Sequence, residues 1–188
     1  VSALDAACPG GIPAAEVKAI LKSHNVLRST ISKGKFVARG VHFPPANKTI
    51  ADLTWDCELE KSAQNVSDQC RWEHSKNRNN VGENMYLKHP SDTKNGLGKA
   101  ASDAWKFEFQ FYGWGLVWFT ADQFSTNIRH ATQMAWAATT NIGCGITLCS
   151  GGGIVTCHYK EAGNVVNALV YPPNYPKENT PEPSIAIL

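Results

Sequence analysis

The sequence predicts an α+β domain, helices first and an antiparallel meander last. Three observations carry that reading. Apolar residues recur at helical spacing in four stretches of the first 138 positions. The period then drops to two after Asn141, where Ile142, Cys144, Ile146 and Leu148 alternate with small or polar neighbours. A Ser150-Gly151-Gly152-Gly153 turn and a second alternating run, Val155, Cys157 and Tyr159, follow directly.

Taken in order, the first helix starts after Pro13, places Val17, Ile20, Leu21, His24, Leu27 and Ile31 on one face, and stops at Gly34. Residues 35–53 hold Gly40, Pro44, Pro45 and Asn47 and read as an irregular loop. A second helix follows Thr54, with Leu59, Ala63, Val66 and Cys70 aligned. Residues 71–84 are polar and read as a loop. A third helix runs from about Leu97 to Phe109, with Leu97, Ala101, Ala104, Trp105 and then Glu108 along one side. A fourth begins near residue 127 and aligns Ile128, Ala131, Met134, Ala135 and Ala138, with His130 and Gln133 beside them. After the hairpin, Val165–Tyr171 reads as a third strand. The organisation expected is a segment 1–13 tied by Cys8, one domain over 14–172, and a proline-rich tail, 173–188, crossing the surface or disordered.

With 188 residues, 43% hydrophobic, the chain can bury a sizeable core. Its 18 Lys and Arg are scattered against 16 Asp and Glu, for a net charge of +2, so no basic stripe marks a nucleic-acid surface. No apolar run reaches the ~18 residues of a membrane span, and no leader precedes the first helix, so a mature or leaderless chain is expected. Six cysteines, none in a C-x-x-C pair, speak for disulfides and an oxidising compartment. The sequons at Asn47 and Asn65 agree with a secretory route. The chain is therefore expected to be secreted and extracellular, not integral to a membrane.

The residues able to carry chemistry are His74 and Glu83 in the polar loop, Glu108 in helix three and His130 in helix four. Gathered, they would suit zinc or another divalent ion, or exchange protons at a ligand. Left as pairs, they would pin loops to helices by hydrogen bonds, and spacing alone leaves both readings open. No H-E-x-x-H helix or G-x-S-x-G elbow is present. The glycine run lacks the lysine and helix of a phosphate loop. Trp105, Phe109, Tyr112, Trp114 and Trp118 belong to a dense aromatic stretch, read first as core and otherwise as a groove for a lipid or sterol or a patch for a protein partner.

Several blocks then align with one family. Residues 129–136 (RHATQMAW) and 155–166 (VTCHYKEAGNVV) match its two signatures, and Gly82-Glu83-Asn84 and His74-Ser75 fit two more blocks. The chain resembles the CAP superfamily of cysteine-rich secretory, antigen 5 and pathogenesis-related 1 proteins, and within it the single-domain ancylostoma-type secreted proteins of parasitic nematodes. The resemblance covers about residues 14–172. It departs at Ala131, where many members carry an aromatic residue.

The resemblance implies a three-layer α-β-α sandwich with a central antiparallel sheet. It implies convergence of His74, Glu83, Glu108 and His130 in a cleft, with zinc held in some relatives by the two histidines, though no cofactor is required. It also implies the pairs Cys8–Cys57, Cys70–Cys149 and Cys144–Cys157 among the ~15 connectivities six cysteines allow. Longer members append a cysteine-rich module, which a chain with no cysteine after Cys157 is not expected to have. The function implied is a secreted, non-enzymatic effector binding host proteins or a small sterol or lipid. The alternative is a metal-dependent hydrolase with His74 and His130 as ligands and Glu83 or Glu108 as base.

Overall fold

The computed structural model describes residues 7–114 and 117–175. Residues 1–6 and 176–188, the outer parts of the expected N-terminal segment and tail, lie outside the described residues. In chain order the elements are α1 (Ala14–Ser32), β1 (Val37–Ala38), β2 (Val41–His42), β3 (Thr54–Trp55), α2 (Cys57–Ser67), β4 (Gly82–Lys88), α3 (Leu97–Tyr112), β5 (Trp118–Phe119), a 3-10 turn (Ala121–Ser125), α4 (Arg129–Ala135), β6 (Asn141–Cys149), β7 (Gly152–Lys160) and β8 (Ala168–Leu169).

Local chemistry sets the helix ends. Pro13, with no N–H to lose, precedes the first residue of α1, and Gly34 after it takes a positive φ of 64°. Asp56 caps α2, its side chain accepting from the N–H of Glu58 at 2.8 Å and of Leu59 at 3.0 Å. The cap of α3 comes from another helix: Glu16 of α1 accepts from Gly96 N at 2.5 Å and Gly98 N at 2.9 Å, placing a buried carboxylate at the positive end of the helix dipole.

The central sheet has the order β3-β6-β7-β4. The β6–β7 hairpin and the β7–β4 pair are antiparallel, while β3 joins β6 in parallel. The sheet is therefore mixed rather than antiparallel throughout, and both outer strands come from segments the periodicity assigned elsewhere. The expected strand Val165–Tyr171 shrinks to Ala168–Leu169, which pairs with β5 outside the central sheet. The reason is competition: β7 pairs instead with seven residues of β4, from Gly82–Tyr159 to Lys88–Gly153, and Val165 and Val166 stay exposed. Helix four also stops early, because Trp136 turns to an extended conformation.

Strand pleat divides the chemistry of the sheet. Tyr159 and Cys157 of β7 face α1 and α3, while Thr156 and His158 face α2, where they meet Ser67 and Ser62. On that side β6 presents Gly143 and Gly145, and α2 lies directly on them: a Cβ at Gly143 would sit 2.1 Å from Glu60 N, and one at Gly145 2.3 Å from the Gln64 Cα. On the other side the core gathers Val17, Ile20, Leu27, Ile31, Ala101, Trp105, Phe109, Met134 and Tyr159.

The buried charge there is paired. The fully buried Arg28 donates to the carbonyls of Ala51, Met134, Trp136 and Thr139 at 2.7–3.1 Å. Burial pulls its pKa down to about 10, with Asp52 opposing the shift. Disulfides join Cys8 to Cys57, Cys70 to Cys149 and Cys144 to Cys157. The first anchors the N-terminal segment to α2, the second ties the exit of α2 to the end of β6, and the third staples β6 to β7.

Candidate metal and ligand cleft

The cleft forms where the polar loop, the start of β4, the start of α4 and residues 162–164 meet. Its volume is about 220 Å³, and His74, Arg78, Glu83, Asn84, Arg129, His130 and Gln133 are among its lining residues. Three of the four expected site residues, His74, Glu83 and His130, thus face one space, with Glu108 behind His130.

Glu83, the second residue of β4, has no exposed side-chain surface. Its Oε1 accepts from His74 Nδ1 at 2.6 Å, the Ser75 N–H at 3.0 Å and the Arg78 guanidinium at 3.1 Å. Its Oε2 accepts from the Ser75 hydroxyl at 2.6 Å and His158 Nε2 at 3.0 Å. Burial alone would raise its pKa, but the hydrogen bonds from His158, His74 and Ser75 prevail and hold it well below the usual carboxylate range. A carboxylate that stays ionised only accepts, so both imidazoles turn an N–H toward it.

Glu108, in the last turn but one of α3, does two jobs. Its Oε2 accepts from the N–H of His130 and of Ala131, each at 3.0 Å, capping α4 from outside. Its Oε1 takes His130 Nδ1 at 2.5 Å. Trp105 stacks on the His130 ring at 5.9 Å and 19°, and Asn84 Nδ2 holds the His130 carbonyl at 3.2 Å.

His74 and His130 therefore share one arrangement: Nδ1 bound to a carboxylate, fully buried for Glu83 and partly buried for Glu108, so that the neutral ring offers Nε2 as an acceptor. That pattern orients imidazoles for metal ligation. Among the described residues, however, no three His, Cys, Asp or Glu side chains gather as a metal-binding group. A divalent cation in this cleft would have the two imidazoles as its side-chain donors.

Of the aromatic residues expected to line an apolar site, Trp105, Phe109 and Trp114 are spent in the core, and only Tyr112 and Trp118 are exposed, beside Phe107 and Phe111. Asn47 and Asn65 are both exposed. A larger groove, about 570 Å³, runs between residues 8–13 and α2 and is lined by Glu58, Lys61, Asn65, Asp68 and Lys94 as well as backbone.

Sequence reasoning missed Arg78, Ser75 as a ligand of Glu83, and above all His158. The signal for His158 was its parity: between Cys157 and Tyr159 it must point to the opposite face of β7. That became informative only once β4 set Glu83 directly across from it.

The sandwich, the disulfides and the paired imidazole–carboxylate cleft define a cysteine-rich secretory type of domain. The chain belongs to the CAP, or cysteine-rich secretory protein, family, whose model matches residues 21–159. It is 33% identical over 162 residues to Ancylostoma secreted protein of Ancylostoma caninum, covering 80% of this chain and 37% of that protein. It is 31% identical over 169 residues to Venom allergen 5 of Microctonus hyperodae, covering 84% of this chain and 72% of that protein. Among solved structures it resembles NaASP2 with Zn2+ (TM-score 0.84, 34% identity, 90% of this chain and 92% of that one). It also resembles BmVAL-1 (TM-score 0.82, 36% identity, 90% and 88%). These two structural neighbours are nematode secreted proteins of the ancylostoma type. Among the described residues no helix is long and apolar enough to cross a membrane.

Proposed function

We propose that the protein is a secreted, non-enzymatic effector that binds host proteins or a small apolar ligand, and that its cleft takes a divalent metal, zinc foremost, through His74 and His130. The observation that carries the metal reading is the matched pair of imidazoles, each with Nδ1 on a carboxylate, so that the neutral ring offers Nε2. NaASP2, a relative at 34% identity, has been crystallised with Zn2+. Secretion is supported by three disulfides, by exposed sequons at Asn47 and Asn65, and by relatives that bear the name of a secreted protein and of venom allergens.

Bound zinc would supply a Lewis-acidic centre with open positions. Two protein ligands make such a site weaker than the four-ligand structural sites, which suits a partner completing the coordination.

The hydrolase alternative is disfavoured by the state of the carboxylates. A general base works best with a pKa near the operating pH. Glu83 is held far below that and is saturated with donors, while Glu108 is engaged by the α4 N-terminus and His130.

The test is titration of zinc into metal-stripped protein beside a folded His74→Ala, His130→Ala variant. One-to-one binding in the parent, lost in the variant and weakening in acid as protons compete for the imidazoles, is the expected result. No binding in the parent, or equal binding in both, overturns the metal reading. Zinc-dependent peptide or ester turnover abolished by Glu83→Gln would install the hydrolase instead.

A further inference from the structure

Behind Glu83 stands a second hydrogen-bonded chain that the cleft itself does not display. Ser62, on the sheet-facing side of α2, lies 2.7 Å from His158 Nδ1. His158 Nε2 lies 3.0 Å from Glu83 Oε2, and Glu83 Oε1 lies 2.6 Å from His74 Nδ1. The path runs from a helix in one layer, across the sheet edge, to a loop histidine that is half exposed.

The order serine, imidazole, carboxylate matches that of a nucleophile–base–orienter chain. Yet His158 has only 6% of its side chain exposed, and neither it nor Ser62 is among the residues lining the cleft. A substrate in the cleft does not reach the Ser62 hydroxyl. The arrangement makes sense as support instead.

Glu83 accepts at Oε2, so His158 Nε2 carries a hydrogen. Its Nδ1 meets the Ser62 hydroxyl, which also donates to the Leu59 carbonyl at 3.0 Å. Thus His158 is held in one orientation from both ends. The lock matters because Glu83 has two oxygens to distribute. His158 and the Ser75 hydroxyl hold Oε2, which turns Oε1 toward His74, the Ser75 N–H and Arg78.

We propose that His158, backed by Ser62, is a positioning residue for the cleft: it fixes the Glu83 carboxylate so that Oε1 captures His74 Nδ1–H, leaving His74 Nε2 as the nitrogen presented to a ligand. The metal consequence rests on the function proposed above, whereas the tautomer consequence does not. Loss of the carboxylate bonded to a ligating imidazole lowers metal affinity by about 10- to 100-fold in comparable sites, and His158 stands one hydrogen bond beyond that carboxylate.

The experiment uses the metal-free, full-length protein at pH 7.5. Long-range 15N–1H imidazole spectra are recorded for the parent, His158→Leu, His158→Gln and Ser62→Ala, with zinc titrations in parallel and thermal melts to confirm folding. In the parent, His74 shows a protonated Nδ1 and an unprotonated Nε2. His158→Leu shifts His74 toward the Nε2–H tautomer and weakens zinc by up to about 10-fold. His158→Gln, whose amide can reach the Nε2 position, recovers most of both. Ser62→Ala moves them in the same direction by less, and serves where His158→Leu does not fold.

An unchanged His74 tautomer in folded His158→Leu, or in Ser62→Ala if the former is lost, overturns the proposal. If the parent binds no zinc while the tautomer still shifts, the positioning role stands and only the metal reading falls.

Discussion

The His24 imidazole and the Tyr159 hydroxyl, 135 residues apart in sequence, meet at 2.9 Å in the buried centre of the molecule. His24 Nδ1 donates to the Ile20 carbonyl at 2.9 Å, which leaves Nε2 as the acceptor of the Tyr159 proton. Tyr159 in turn accepts from Asn84 Nδ2 at 3.1 Å, and the same amide group reaches the His130 carbonyl. The first helix, the central sheet and the cleft therefore share one polar chain through an apolar core.

Acid weakens this chain. Burial, the main cause, lowers the His24 pKa from 6.5 to about 4. The unfolded chain binds a proton that the native state refuses, so the His24 contribution is fully present above pH 6.5 and is lost as pH falls toward 4. Linkage puts the loss near 2 kcal/mol between pH 7 and pH 5. Urea unfolding at the two pH values measures it, and His24→Gln should flatten the slope.

Glu83 acts in a lower window. Its folded pKa is depressed from 4.5, so its contribution is intact at pH 5 and is lost only as pH falls below about 4.5. Glu83→Gln keeps the shape but removes the charge that His74, Arg78 and His158 share, and should cost about 3 kcal/mol at pH 7 by thermal or urea unfolding. An unaltered midpoint would show that these bonds contribute nothing net.

Arg28→Leu should be among the most damaging substitutions outside the cleft. It strips donors from the Ala51, Met134, Trp136 and Thr139 carbonyls, at roughly 3–5 kcal/mol. Refolding yield and denaturant midpoint check this.

Gly143→Ala tests the seat of α2. The added methyl would meet main-chain atoms, Glu60 N at 2.1 Å and Asp56 O at 2.5 Å, which cannot rotate aside. A loss of about 3 kcal/mol is expected. Gly10→Ala, where nothing lies within 4 Å, should cost less despite its positive φ.

Much of this architecture was legible before the structure. The first helix fits between Pro13 and Gly34, because proline and glycine act locally and tertiary contacts do not override them. The Asn141–Lys160 hairpin was plain from alternation around a glycine turn. Strand β4 was not, since GENMYLK begins on the polar loop and lies at a sheet edge, where alternation is muted; Trp105 covers it by donating to the Met85 carbonyl at 3.1 Å. Two-residue β3 carries no periodic signal at all. Val165–Tyr171 had the composition of a strand but lost its place in the sheet to β4. In the cleft, the imidazole–carboxylate pairs His74–Glu83 and His130–Glu108 involve residues singled out in the sequence, while His158 and Ser62 become meaningful only with strand register.

One consequence of the β4 pleat concerns how the cleft is dimensioned. Glu83 and Asn84 are consecutive, so their side chains leave the strand on opposite sides. Glu83 grips the loop histidine from the face under α2, and Asn84 grips the backbone of the helix histidine from the face under α3. The loop histidine and the backbone of the helix histidine are thereby held by adjacent residues of one extended strand, a spacing that side-chain variation elsewhere in the cleft leaves in place. Changes in the surrounding loops can recast what the cleft meets without altering the span across which its two histidines are offered.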